Sequence, residues 1–183
     1  MNNSTNLKKP TKILIVGLDN SGKTSILMSL RENTNLLSYF SLKPTKGLSV
    51  EEFKSDEQKL MVVWDLGGQA QYRKKYLKDF SRYAKETKKI IFVIDVQDTN
   101  RYGLALDYLE ELIDVLKNSE HFIEISLFLH KFDPNLIKKE DFKKLYQRIN
   151  TELVDRIKTI IPNKFNYNLF KTTIYTVFEK NLF

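Results

Sequence analysis

Lys23 and Thr24 close the run Gly17-Leu18-Asp19-Asn20-Ser21-Gly22-Lys23-Thr24, which fits the spacing G-x-x-x-x-G-K-[ST]. Two glycines at that spacing leave room for main-chain N–H groups to converge on phosphate oxygens. The lysine can then reach the outer phosphates, and the threonine hydroxyl can hold Mg²⁺. The run follows Ile13-Leu14-Ile15-Val16, an apolar stretch of strand length. Strand, loop and helix in that order is the setting in which such a loop works. The plainer alternative, a glycine-rich turn that binds nothing, does not call for the strand in front. The nucleotide-binding set read from this segment is Gly17, Asp19, Asn20, Ser21, Gly22, Lys23, Thr24 and the adjoining Ser25.

Further phosphate chemistry lies downstream in Trp64-Asp65-Leu66-Gly67-Gly68-Gln69. An aspartate at the carboxyl end of a strand can complete the cation site begun by Thr24, usually through water. Gly68 offers an N–H to the γ-phosphate, and Gln69 can orient water for in-line attack. Between these motifs stands Pro44-Thr45-Lys46-Gly47. A threonine in a mobile loop there can hold the cation and sense the γ-phosphate. The metal set is therefore Thr24, Thr45 and Asp65. The catalytic set is Gln69, Lys23 and Gly68.

Base recognition is expected where later strands end, above the same sheet edge. Phe128-Leu129-His130-Lys131-Phe132-Asp133 supplies a carboxylate, Asp133, that can accept from guanine N1–H and the exocyclic amine. Adenine lacks that donor pair, so a site built on the acceptor would leave it unpaired. The Lys131 stem can lie along the base, His130 adjoins it, and the N–H groups of Thr172, Thr173 and Ile174 can meet the guanine carbonyl.

Six apolar runs must position these groups: Lys12–Val16, Leu48–Phe53, Leu60–Trp64, Ile90–Asp95, Ile125–His130 and Tyr167–Thr172. Four are nearly continuous in Ile, Val, Leu or Phe, as strands buried on both faces require. The second and third are joined by a polar connection, 54–59, suited to a hairpin. Helical stripes recur at Leu106, Leu109, Ile113 and Leu116, and at Phe142, Tyr146, Ile149, Leu153, Ile157 and Ile160. These are read as packing faces. The order predicts an α/β fold: a doubly wound, mixed six-stranded sheet with one antiparallel edge strand, flanked by about five helices. One domain is expected over 12–183, behind a polar tail at 1–11.

On these residues the chain resembles a small GTPase of the Ras superfamily, a P-loop NTPase G domain, over essentially all of Lys12 to Phe183. The phosphate loop, Pro44-Thr45-x-Gly47, Trp64-Asp65-x-Gly67-Gly68-Gln69 and Arg73 resemble the Arf family. His130-Lys131-x-Asp133, where most relatives carry Asn-Lys-x-Asp, and Phe170-Lys171-Thr172-Thr173-Ile174 resemble the Rag GTPases. The resemblance implies a GTP/GDP switch with Mg²⁺ and slow hydrolysis, whose segments at roughly 35–47 and 66–78 rearrange between nucleotide states. It also implies effector, GTPase-activating and exchange partners, and raises pairing of two chains in the GTP state. His130 departs from the usual asparagine, which bears on affinity and exchange.

Composition narrows the classes. The chain has 183 residues, no cysteine and a net charge of +7. Disulfides, thiolate metal sites and a cysteine nucleophile are thereby excluded. No apolar run reaches the roughly 20 residues that a membrane-spanning helix needs. Asn2 stands where N-myristoylation needs glycine, and Lys180-Asn181-Leu182-Phe183 lacks a prenylation cysteine. A cytoplasmic protein, at most peripheral at membranes, is expected. The basic run between Gln71 and Lys89 reads as a solvated helix face, since no aromatic stacking set accompanies it. Two rival readings stay open: a static nucleotide-bound interaction module, and an ATP-dependent kinase or ATPase.

Overall fold

In the computed structural model, which describes residues 9–31, 35, 37–54, 59–117, 122–138 and 140–175, strands and helices alternate along the chain. β1 (Thr11–Gly17) leads into α1 (Lys23–Ser29) and a single turn, α2 (Leu37–Phe40). β2 (Leu48–Lys54) and β3 (Leu60–Leu66) follow, then α3 (Ala70–Lys78) and α4 (Phe80–Ala84), which meet at Asp79. Next come β4 (Thr87–Asp95), a 3₁₀ turn at Thr99–Arg101 and α5 (Tyr102–Lys117). β5 (Glu124–His130), a 3₁₀ turn at Pro134–Lys138, α6 (Phe142–Arg148), a π-helical segment Ile149–Val154, α7 (Asp155–Ile160) and β6 (Tyr167–Lys171) complete the described order. The tail expected at 1–11, most of the hairpin connection and the final residues 176–183 lie outside the described residues in whole or part.

The strands form one sheet in the order β2-β3-β1-β4-β5-β6. Only β2 and β3 run antiparallel, with Leu48 opposite Leu66 and Lys54 opposite Leu60. The mixed, doubly wound sheet with an antiparallel edge is therefore the observed architecture. Taken as continuous bodies, α1, α2, α3 with α4, α5, and α6 through α7 make five helical units among the described residues.

Side-chain alternation places the core on both faces. Leu14, Val16, Ile90, Phe92, Ile94, Ile125, Leu127 and Leu129 point to the larger layer, where α5 packs through Leu106, Leu109, Ile113 and Leu116. Ile15, Leu27, Val63 and Val93 build the smaller layer beneath α1. Every residue of the α5 stripe is buried. Truncating Leu109 to alanine would cost about 2–5 kcal/mol through lost transfer and a cavity. The second stripe is interrupted: the π-helical segment sits between α6 and α7, and Tyr146 is 37% exposed rather than core. Tyr146 instead meets Phe132 and Phe142 edge-on and tilted. β4 also begins three residues before the apolar run, because Thr87 and Lys89 already pair with β1.

Parallel pairing has one consequence for function. β3, β1, β4, β5 and β6 all present their carboxyl ends at the same edge, so Asp65, Gly17, Asp95, His130 and Lys171 close one rim. The strand order reverses around β1, which is where ligands seat in open α/β sheets.

Candidate nucleotide site

The loop leaving β1 turns sharply. Asn20 (φ 60) and Gly22 (φ 95) lie in the left-handed region before α1 starts at Lys23. Glycine is required at 22 on two counts: its φ, and a neighbour. A Cβ there would stand 2.4 Å from Cδ2 of His130. Lys23 is buried, and its Nζ donates to the carbonyls of Gly17 (3.1 Å) and Leu18 (2.7 Å). Burial pushes its pKa down to about 8, with Asp65 and Asp19 opposing that shift.

Thr24, Thr45 and Asp65 come together in a triangle. Thr24 Oγ1 donates to Asp65 Oδ2 at 2.8 Å, Thr45 Oγ1 donates to the same oxygen at 2.9 Å, and the two hydroxyls stand 2.9 Å apart. Two hydroxyl protons serve three contacts, so one edge of the triangle has no proton to hold it. The second carboxylate oxygen, Asp65 Oδ1, is buried with no hydrogen-bond partner. An orphaned buried oxygen beside two hydroxyls is a hard donor set, and it fits Mg²⁺, which takes one or two carboxylates and keeps several waters.

Gly68 presses onto the phosphate loop. A Cβ on it would overlap the Leu18 carbonyl carbon and the Asp19 nitrogen, each at 2.2 Å. Gly67 N–H donates to Gly47 O at 2.8 Å, which joins the segment after β3 to the one before β2. Gln69 occupies the N-cap of α3, half-buried, its Oε1 3.4 Å from Gln71 Nε2. A cleft of about 170 Å³ is lined by Asp19, Asn20, Lys23, Thr24, Thr45 and Gln69, with Ser25 and Gly68 also at its walls. Ligand pockets usually run to about 300–1,000 Å³, so this cleft is smaller than a pocket for a whole ligand of that kind.

The base-side residues gather at the ends of β5 and β6, beyond that cleft. Thr173 Oγ1 donates to Asp133 Oδ1, and Gln97 Nε2 donates to Asp133 Oδ2 at 2.8 Å. Lys131, itself at φ 60, sends Nζ to the Asn20 carbonyl (2.8 Å) and to Asp95 (2.6 Å). His130 is buried, with Nδ1 2.9 Å from Thr172 Oγ1. Burial holds its pKa below the usual 6.5, Lys131 adds to that, and Asp95 and Asp133 oppose it. One expected donor is already engaged: the Thr172 N–H donates to the Leu129 carbonyl at 2.9 Å, because β6 pairs with β5 up to that point. Of the trio expected to face the base, the Thr172 N–H is thus spent within the sheet.

Two other loop residues sit differently from a simple phosphate cradle. Asp19 Oδ1 accepts from Arg101 Nη1 at 3.2 Å, and Arg101 also pairs with Asp98. Ser21 Oγ is buried without a partner and faces a cavity of about 10 Å³ behind the loop, which is room for one water. Asp95, Gln97 and Arg101 did not emerge from the sequence as site residues. The only signal that could have found Asp95 is an aspartate at a strand's carboxyl end, the same signal that marked Asp65.

A family model of the ADP-ribosylation factor family, Arf, matches residues 1–175. The chain belongs to the ADP-ribosylation factor family. ADP-ribosylation factor-like protein 6 of Danio rerio is 35% identical over 126 residues, covering 69% of this chain and 64% of that protein. The match thus takes in less than two thirds of that relative's length. ADP-ribosylation factor-like protein 3 of Saccharomyces cerevisiae is 28% identical over 163 residues, covering 87% of this chain and 79% of the other. In fold, the chain is similar to the Arl6 BBS3 small GTPase of Trypanosoma brucei, solved with the nucleotide analogue GppNp. That similarity has a TM-score of 0.66 at 19% identity, over 90% of this chain and 87% of that one. The mammalian SRP receptor structure is similar at TM-score 0.64 and 16% identity, over 88% and 90% of the two chains. Among the described residues, no helix is long and apolar enough to cross a membrane.

Proposed function

We propose that this Arf-family chain is a guanine-nucleotide switch that binds GTP or GDP with Mg²⁺ and slowly hydrolyses GTP to GDP and phosphate. The observation that carries the reading is the meeting of Thr24, Thr45 and Asp65 beside the Lys23 cleft, with Asp65 Oδ1 left unpartnered. Thr45 stands 21 residues from Thr24 along the chain, yet their hydroxyls touch. A loop residue that reaches the cation position can report whether a γ-phosphate is present.

The residues divide the work. Lys23 leaves the Gly17 and Leu18 carbonyls for phosphate oxygens, which stabilise the ammonium that burial disfavours. The Gly68 N–H and the amides of the phosphate loop stabilise charge on the transferring phosphoryl group, and Gln69 orients the water that attacks in line. Bound Mg²⁺, held by Thr24, Thr45 and Asp65, would neutralise charge between the outer phosphates. Asp133 accepts from the guanine edge and Lys131 lies along the base.

Arg101 is committed to Asp19 and Asp98, and Arg73 lies over the Tyr108 ring, 5.3 Å from its centroid. Neither is placed as an arginine finger. An activating partner that supplies one would raise hydrolysis on the order of 10³-fold or more. Effector and exchange partners, peripheral membrane recruitment and pairing in the GTP state belong to the same reading.

The test starts with the nucleotide that co-purifies, identified by chromatography after denaturation, then calorimetric titration with GDP and GTP plus Mg²⁺. Guanine nucleotide in the eluate and saturable heat are expected. An empty chain with no heat would overturn the reading. Gln69→Leu is expected to bind normally and lose stimulated hydrolysis, whereas a static module would show no change.

A further inference from the structure

Asp133 is held from two sides before any base arrives, and one of the two holders lies outside the motifs. Gln97 follows β4, 36 residues from Asp133 along the chain. Its backbone is fixed first: the Gln97 N–H donates to Asp95 Oδ1 at 2.9 Å, while Asp95 Oδ2 takes the Lys131 ammonium. Its side-chain amide then spends both protons on the base loop, one on the Lys131 carbonyl and one on Asp133 Oδ2, each at 2.8 Å. Thr173 supplies the matching bond to Oδ1.

The count of acceptor sites gives this arrangement its meaning. An ionised carboxylate offers about four lone-pair positions, two on each oxygen. Gln97 takes one on Oδ2 and Thr173 takes one on Oδ1, so one remains on each oxygen. Guanine presents two N–H groups side by side, one for each. Without Gln97 the carboxylate is anchored at one oxygen only and can rotate out of the plane the base needs.

We infer that Gln97 is a positioning residue of the base site, orienting Asp133 and the Lys131 backbone so that the pocket prefers a purine carrying both N1–H and an exocyclic 2-amine. This inference rests on the guanine-nucleotide reading given above. Gln97 is exposed, so its substitution should leave the core intact.

The experiment measures dissociation constants for GDP and inosine diphosphate, which keeps N1–H and lacks the amine, on the full chain with Mg²⁺. Gln97→Ala and Gln97→Met are compared with the parent, the methionine keeping bulk while removing both donors. Loss of a bond to a charged group in a partly wet site should weaken GDP by about tenfold and inosine diphosphate by only about threefold. The preference for GDP then falls about threefold in both variants. Equal weakening of both nucleotides, or no weakening, overturns the inference while leaving the guanine reading intact. A parent chain that binds neither nucleotide overturns both.

Discussion

The imidazole of His130 lies so close to Gly22 that a Cβ added there would fall 2.4 Å from Cδ2 and 2.7 Å from Nε2. The base loop and the phosphate loop are thus in direct contact through one ring and one backbone. The ring is fixed at its other side by Thr172, on the segment after β6. The end of β5, the segment after β6 and the start of α1 thus meet at this residue.

His130 should make the unliganded fold acid-sensitive. Its pKa is lowered from 6.5, with burial the main cause and Lys131 second, so the native ring resists protonation more than the unfolded one. Native stability is therefore complete above about 6.5 and declines as pH falls below it, until the native ring also protonates. The slope from one such group is at most about 1.4 kcal/mol per pH unit. Denaturant melts between pH 7.5 and 5.5 on the parent and on His130→Asn measure it. The variant should show a shallower decline; parallel curves would refute the assignment.

Lys23 should couple phosphate binding to proton uptake. Its pKa stands at about 8 in the unliganded chain, and a polyphosphate favours the charged form. At pH 7 the ammonium is mostly present and binding takes up few protons. Above about 8 binding must recruit a proton, so GDP affinity declines with rising pH. Calorimetry at pH 8.5–9 in buffers of different ionisation enthalpy should reveal the uptake, and Lys23→Gln should abolish it together with most of the affinity.

Removing the carboxylate of the cation triangle should uncouple nucleotide retention from Mg²⁺. In the parent, a chelator should accelerate GDP release. In Asp65→Ala, release should already be fast, by about tenfold or more, since even outer-shell changes cost metal affinity about 10–100-fold. Chelator should add little further. A variant that responds to chelator as the parent does would remove Asp65 from the cation site.

Asp133→Asn should exchange base preference. The amide offers one donor and one acceptor where the carboxylate offers two acceptors, which suits the xanthine edge rather than guanine. GDP binding should weaken by about 10⁴-fold, the discrimination of a site left with a mismatched polar partner. Competition between GDP and xanthosine diphosphate reads the outcome directly.

Local pattern made the phosphate half of the candidate site legible. Gly17 to Thr24 declares itself within eight residues, and its strand is an uninterrupted apolar run. Asp65, Thr45 and Asp133 were readable because each sits where a strand begins or ends, and the sheet brings those ends to one rim. Gln97 and Arg101 were not, because their roles arise from partners 36 and 82 residues away, on elements whose spacing in the chain carries no trace of the contact. The engaged Thr172 amide was equally hidden: it depends on β6 staying paired with β5 to the last residue. Tyr146 fitted a helical stripe, but it is more exposed than core, and its ring neighbours are the half-buried Phe132 and Phe142 at the core's edge.

Since five strands point their carboxyl ends the same way, the residues read for phosphate and base gather at one rim, away from the opposite one. Phe122 stands there, 69% exposed, two residues before β5. The seven residues of β5 set Glu124 about 20 Å from His130 at the usual rise per residue, and Phe122 lies two residues beyond Glu124. A dye or a surface linker fixed at that position would report on, or immobilise, the molecule without entering the pocket it is meant to watch.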